Sequence, residues 1–216
     1  MKRVNLFCGH YGSGKTNIAV NYAKYLRSLG KEVAIADIDI VNPYFRTKDS
    51  EAELIEAGVD VVALPYANSS VDLPALPAAV YTLVRNHSKY AIFDVGGDDR
   101  GAVALGRYVP DILAENDYDM FFVANFCRPL TRTAADALEV MREIEAACRI
   151  PFTAIINNSN LGPETTAELI RETEPKAAEL GQLSGLPVVM TTAEESVGYP
   201  GAFPLKLQKK IIDSSF

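Results

Sequence analysis

Residues 9–16 read Gly9-His10-Tyr11-Gly12-Ser13-Gly14-Lys15-Thr16, directly after the compact β-type run Val4 to Cys8. The octet satisfies G-x-x-x-x-G-K-[ST] at every specified position. From Lys15 to Leu29 the apolar residues Ile18, Ala19, Tyr22, Ala23, Leu26 and Leu29 recur at helical spacing, so the octet joins a strand to a helix. Glycine backbone approaches phosphate oxygens without a Cβ in the way, and the loop N–H groups with the helix N-terminus present donors and partial positive charge to an anion. The expected contact stretch is therefore His10, Tyr11, Gly12, Ser13, Gly14, Lys15, Thr16 and Asn17. Lys15 is placed on the β- and γ-phosphates, and the Thr16 hydroxyl on Mg²⁺.

Outward from the loop, short apolar runs alternate with helical patterns. Strands are expected at Val33 to Ile38, Val59 to Leu64, Tyr90 to Val95, Asp119 to Asn125, Phe152 to Asn157 and Pro187 to Met190. Between them the spacing predicts a short helix opened by a Ser50–Glu53 capping box and closed at Gly58. Further helices are expected from Asp72–Pro74 to about Arg85, over Thr131 to Cys148, and from Pro163 to Gly181 with a break or kink before Pro175. Near-continuous apolar strands separated by helices define an α/β fold: a doubly wound, mostly parallel sheet of about seven strands with helices on both faces. With no repeat or linker in the sequence, residues 1–216 read as a single domain.

Ligands of such sheets bind at the carboxyl ends of the strands, and three carboxylates fall there. Asp37 and Asp39 end the second strand in Ala36-Asp37-Ile38-Asp39, and Asp94 ends a later one in Ile92-Phe93-Asp94-Val95-Gly96-Gly97. Asp37 and Asp94 are candidates for holding Mg²⁺ or its waters, Asp39 for orienting an attacking water, and Gly97 for turning its N–H to a γ-phosphate. Helix capping is the ordinary alternative for an Asp at a strand end.

In this order the motifs resemble the MinD/ParA family of P-loop ATPases, the class with a deviant phosphate loop, over nearly the whole chain. The resemblance rests on the octet, the Asp37/Asp39 strand end, the Asp94-x-x-Gly97 segment, the loop Asn125-Phe126-Cys127-Arg128-Pro129, the strand ending at Asn157, and the final strand with its acidic, Pro-containing loop. It implies a Mg-ATP-dependent switch and ATP hydrolase acting on a protein partner, with Lys15 and Asp39 as catalytic residues and a nucleotide-dependent homodimer. It also implies that Asn157, and more weakly Thr191, Thr192 and Glu194, reads or covers the adenine. The sequence departs from the family at His10, where the signature lysine reaches across a dimer; a neutral imidazole is no fixed positive charge.

Composition narrows the classes. The formal charge of −7 and pI of about 4.9 argue against broad nucleic-acid binding or attraction to an anionic membrane. Cys8, Cys127 and Cys148 form no close pair, so no zinc or iron–sulfur ligand set is expected, and buried free thiols point to a cytoplasmic setting. No apolar run approaches the ~18 residues of a membrane span, and the tail Pro204 to Asp213 has no single apolar stripe. A small-molecule kinase or ligase on this scaffold would use Asp98, Asp99, Arg100 and Arg128, but there is no Arg-rich lid. A GTPase would need Asn-Lys-x-Asp, which Asn157-Asn158-Ser159-Asn160 does not supply. A nucleotide-holding module with little turnover is the remaining alternative.

Overall fold

A computed structural model of the chain describes residues 1–38, 50–62, 78–96 and 103–207. In chain order the elements are β1 (Val4–Cys8), α1 (Lys15–Ser28), β2 (Val33–Asp37), α2 (Glu51–Glu56), β3 (Asp60–Val62), α3 (Ala78–Arg85), β4 (Tyr90–Asp94), α4 (Val109–Glu115), β5 (Tyr118–Ala124), α5 (Ala134–Cys148), β6 (Ala154–Asn157), α6 (Ala167–Ser184), β7 (Val188–Glu194) and β8 (Phe203–Leu205). The strands form one parallel sheet in the order β3-β2-β4-β1-β5-β6-β7-β8.

The alternation of β1 sorts the two cores. Val4, Leu6 and Cys8 face a cluster built with Val80 and Leu83 of α3, Ile112 of α4, Met141 of α5 and Leu180 of α6. Phe7 faces the opposite cluster, with Ile18 and Leu26 of α1 and Leu54 of α2. Handedness explains the division. The crossovers β1-α1-β2 and β2-α2-β3 step toward one edge of the sheet, whereas those carrying α3, α4, α5 and α6 step toward the other. Right-handed crossovers in opposite directions must put their helices on opposite faces. The direction of travel therefore reverses around β1, between β4 and β5, which opens a crevice at its carboxyl end.

Several local expectations are corrected. An eighth strand, β8, pairs beside β7 where the sequence suggested only a tail, and its Pro204 is tolerated because β8 is an edge strand. Helix α6 continues through Pro175. Pro175 and Arg171, whose carbonyl it cannot serve, both lie on the exposed side of the helix. The Ser50–Glu53 capping box does not form: Ser50 makes no side-chain cap bond, and Glu53 accepts from Lys24 Nζ at 2.6 Å. Helix α4 was missed in the sequence; its signals are Pro110 in the first turn and Asn116, left-handed at φ 52°, at its end. The expected helix start at Asp72–Pro74 and the tail beyond Leu207 lie outside the described residues. Among the described residues no helix is long and apolar enough to cross a membrane.

Candidate functional site

The phosphate-loop octet hangs between the end of β1 and the start of α1. Gly12 and Gly14 take φ of 77° and 87°, a left-handed backbone that L side chains rarely adopt. The Ser13 N–H donates to the His10 carbonyl at 3.0 Å, closing the loop. Gly9 is required by a neighbour: a Cβ there would lie 2.5 Å from the Val123 carbonyl oxygen of β5 and 2.9 Å from Ser13 Oγ. Helix α1 begins at Gly14 with no side-chain cap and no acidic residue in its first turn, leaving its N-terminal donors and dipole directed into the loop.

One buried group inside this cradle lacks a partner among the described residues. The Ser13 hydroxyl is buried and makes no hydrogen bond. Lys15 is only 6 % exposed and enters no ion pair among the described residues. With no carboxylate paired to it among the described residues, the Lys15 ammonium is left for an anion at the loop. Cys8, immediately before the loop, is no competing nucleophile: burial, with the neighbouring Cys148 thiol, pushes its thiol well up, against the opposing pull of Lys15. Cys127 is half-buried rather than buried, and all three thiols are free.

Beside the loop, Asp37 and Asp94 are register partners at the carboxyl ends of β2 and β4, and Phe7 of β1 is the partner of Asp94 on the other side. Asp94 is buried and Asp37 half-buried. Two carboxylates and the Thr16 hydroxyl are hard oxygen donors that fit Mg²⁺, which is usually held by one or two carboxylates plus substrate phosphates. Among the described residues no cluster of three or more His, Cys, Asp or Glu side chains could hold a metal by itself. Asp39 and Gly97, and with them Asp98, Asp99 and Arg100, lie outside the described residues.

On the other flank the loops after β5, β6 and β7 interlock. Asn157 is fully buried. Its Nδ2 donates to Thr173 Oγ1 of α6 at 3.1 Å, and its Oδ1 accepts from the N–H and hydroxyl of Ser159. A base contact by Asn157 would have to share or break those bonds. Asn158, which the sequence reading did not single out, is the residue that touches the loop. Its Nδ2 donates to the Ser13 carbonyl at 2.6 Å, and its Oδ1 accepts from Thr192 Oγ1 at 2.5 Å. Its only sequence signal was the cluster of Asn residues at a strand end. Thr192 is thus brought to the site through Asn158. Asn17 lies one turn into α1, where its carbonyl accepts from Asn21.

At the loop rim Tyr11 is exposed. His10 is half-buried, and its Nδ1–H donates to the Tyr11 carbonyl at 3.0 Å. Arg128, in the loop after β5, donates from Nε to the Gly12 carbonyl at 3.1 Å. A cavity of about 230 Å³ near Glu174, Val189, Met190 and Tyr199 lies against β7, apart from the phosphate loop.

No protein-family model matches the chain, and no curated protein matches it. Solved structures do. Chloroplast FtsY from Physcomitrella patens superposes with a TM-score of 0.62 at 18 % identity, over 91 % of this chain and 60 % of that one. Cell division protein FtsY from Thermotoga maritima gives 0.58 at 18 % identity, over 90 % and 63 %. The signal recognition particle receptor FtsY from Elizabethkingia anophelis in complex with GDP gives 0.54 at 18 % identity, over 97 % and 61 %. The chain therefore spans about three-fifths of the length of these structures. At this level of identity the superpositions establish the fold alone: an α/β fold with one parallel sheet.

Proposed function

We propose that the chain binds Mg-ATP at the Gly9–Thr16 loop and works as a nucleotide-dependent switch for a protein partner, with ATP hydrolysis resetting it. The observation that carries this reading is Lys15, 6 % exposed and without an ion pair among the described residues, beside the Ser13 hydroxyl that has no hydrogen-bond partner among them, at the start of α1 that has no side-chain cap. In this reading Lys15, Ser13 and the loop N–H groups bind the phosphates. Thr16, Asp37 and Asp94 hold Mg²⁺, which neutralises phosphate charge, and Asp39 orients the attacking water. Gly97 senses the terminal phosphate. Asn158 and Thr192 set the base side of the pocket, with Asn157 fixing the loop that carries them.

The order of the motifs supports placing the chain beside the MinD/ParA ATPases, as a cytoplasmic protein. Tyr11, Leu130 and Leu161 are exposed large side chains in the loops after β1, β5 and β6, surface that a protein partner or a second copy would cover. A GTP-binding reading is favoured by one observation, the GDP complex among the structural neighbours. Against it, the segment after β6, Asn157-Asn158-Ser159-Asn160-Leu161, has no carboxylate to pair with the guanine edge.

The test is calorimetric titration with Mg-ATP and Mg-GTP in parallel. Selective ATP binding supports the proposal, GTP preference transfers it to the second reading, and binding of neither nucleotide refutes both. Single-turnover hydrolysis then separates a switch from a holding module. Asp39→Ala is expected to keep ATP affinity and slow phosphate release; unchanged turnover would remove Asp39 from the catalytic set.

A further inference from the structure

The octet contains one fixed cation, Lys15, and that residue is buried within the loop. Its second position carries His10, whose Nδ1–H is committed to the Tyr11 carbonyl. In the neutral ring the other nitrogen is then an acceptor, which repels a phosphate oxygen instead of binding it. A triphosphate has more negative charge than a diphosphate, and the loop's own sequence offers no second cation for it.

The fold brings one from elsewhere. Arg128 lies 116 positions after Gly12, and its Nε donates to the Gly12 carbonyl at 3.1 Å. The guanidinium is laid against Gly12: its Nε, Cζ and Nη2 would stand 3.4, 3.6 and 3.8 Å from a Cβ at that position. Both Nη groups have no protein partner among the described residues. The segment holding Arg128 is tightly tied. Thr131 Oγ1 and Arg128 N both donate to the Asn125 carbonyl, at 2.6 and 3.1 Å. Cys127 N donates to Asn125 Oδ1 at 3.0 Å, and Phe126 N to Ser159 Oγ at 3.0 Å. Pro129 follows at once and holds Arg128 in extended backbone, φ −94° and ψ 144°. A charge presented on such a braced loop costs little reorganisation when an anion arrives.

We propose that Arg128 is a phosphate-contacting residue that supplies, from the same chain, the second positive charge of the site: Nε stays on the Gly12 carbonyl while the Nη groups hydrogen-bond the terminal phosphate. The inner groups, Ser13 and Lys15, are buried within the loop, whereas Arg128 is exposed at its rim. It therefore meets the part of a polyphosphate that projects furthest. The planar fork suits two phosphate oxygens at once. This assignment rests on the nucleotide-binding reading above and gives the site a means of telling triphosphate from diphosphate without the charge that His10 lacks.

The test compares Arg128→Ala, Arg128→Gln and Arg128→Lys with the unaltered chain. Each is titrated with Mg²⁺ and either the β,γ-imido analogue of ATP or ADP, or the guanine pair if that base binds more tightly. Arg128 is exposed, and an unchanged thermal melt checks that each variant is folded. Arg128→Ala and Arg128→Gln are expected to weaken the triphosphate analogue by about tenfold or more and the diphosphate by less than about twofold. Arg128→Lys retains the charge and is expected to bind the triphosphate more tightly than Arg128→Gln. Equal weakening of both nucleotides would mean that Arg128 only braces Gly12, and would overturn the assignment, as would no weakening at all. Binding of neither nucleotide by the unaltered chain overturns the proposed function and this assignment together. An unchanged triphosphate-to-diphosphate ratio in the variants overturns the assignment alone.

Discussion

Asn158 and Ser13 lie 145 positions apart and are joined by a 2.6 Å hydrogen bond from the Asn158 side-chain amide to the Ser13 backbone carbonyl. With Thr192 Oγ1 donating to the other end of the same amide, one buried side chain ties the phosphate loop to the end of β7. Asn158→Ala removes a donor from Ser13 and an acceptor from Thr192, and is expected to destabilise the fold by about 1–3 kcal/mol. Urea unfolding measures it. Nucleotide affinity is expected to fall too, because the loop loses its brace. A variant as stable as the parent would show that the bridge contributes nothing.

Gly9→Ala places a methyl group 2.5 Å from the Val123 carbonyl oxygen. That oxygen belongs to a central strand paired on both sides, so β5 cannot yield and the loop must move. The expected result is loss of nucleotide binding with a lower melting temperature. Full affinity in the Ala variant would show that the loop tolerates displacement.

Lys15 separates stability from function. Lys15 makes no ion pair among the described residues, so Lys15→Met is expected to leave the nucleotide-free protein at least as stable as the parent. The same substitution is expected to abolish triphosphate binding. Thermal melts without ligand read the first effect and calorimetry the second. A large drop in ligand-free stability would mean that Lys15 has a structural partner, and tight triphosphate binding by the variant would sink the phosphate-loop assignment.

At the opposite end of the sheet, Arg3 is buried and pairs with Glu115. It also donates to the carbonyls of Leu83, Val84, Asn86 and Lys89 around the C-terminus of α3. The Arg3 hydrogen bond, opposed by burial, holds the Glu115 carboxyl below the usual carboxylate range, with His87 adding to the effect. A lowered folded value means that the stabilisation is complete above the unfolded value of about 4.3 and is lost as pH falls through the folded one. Glu115→Gln is expected to flatten the acid limb of a stability-versus-pH curve. Arg3→Met, which strands the carboxylate, is expected to cost about 3–5 kcal/mol near neutral pH. An acid limb unchanged by Glu115→Gln would show that the pair adds no pH dependence.

Much of the fold was legible because its signals are local. Val4 to Cys8 is apolar except for Asn5 since β1 is buried on both faces, and the Gly-rich octet with its following helical stripe announces the loop. What went unread depended on distant residues. The Ser50–Glu53 capping box failed because Lys24 of α1 takes Glu53. Helix α6 passes Pro175 because that side faces water. β8 exists because the chain returns to the uncovered edge of β7, and Asn21 holds its end by exchanging two hydrogen bonds with the Lys206 backbone.

The sequence by itself determined the Gly-rich loop between β1 and α1, the parallel α/β class and the strand-end placement of Asp37 and Asp94, because backbone freedom at Gly, helical period and strand burial are written in neighbouring residues. Only the tertiary structure decided which of the clustered asparagines reaches the loop and where its extra charge comes from. Asn157 and Asn158 are adjacent and alike in type, yet β6 directs one toward Thr173 of α6 and the next toward Ser13. Arg128 meets Gly12 because β5 pairs directly with β1. Strand order and side-chain direction are set by which surfaces the whole chain can bury together, and a local stretch of sequence holds no record of its partners across the sheet.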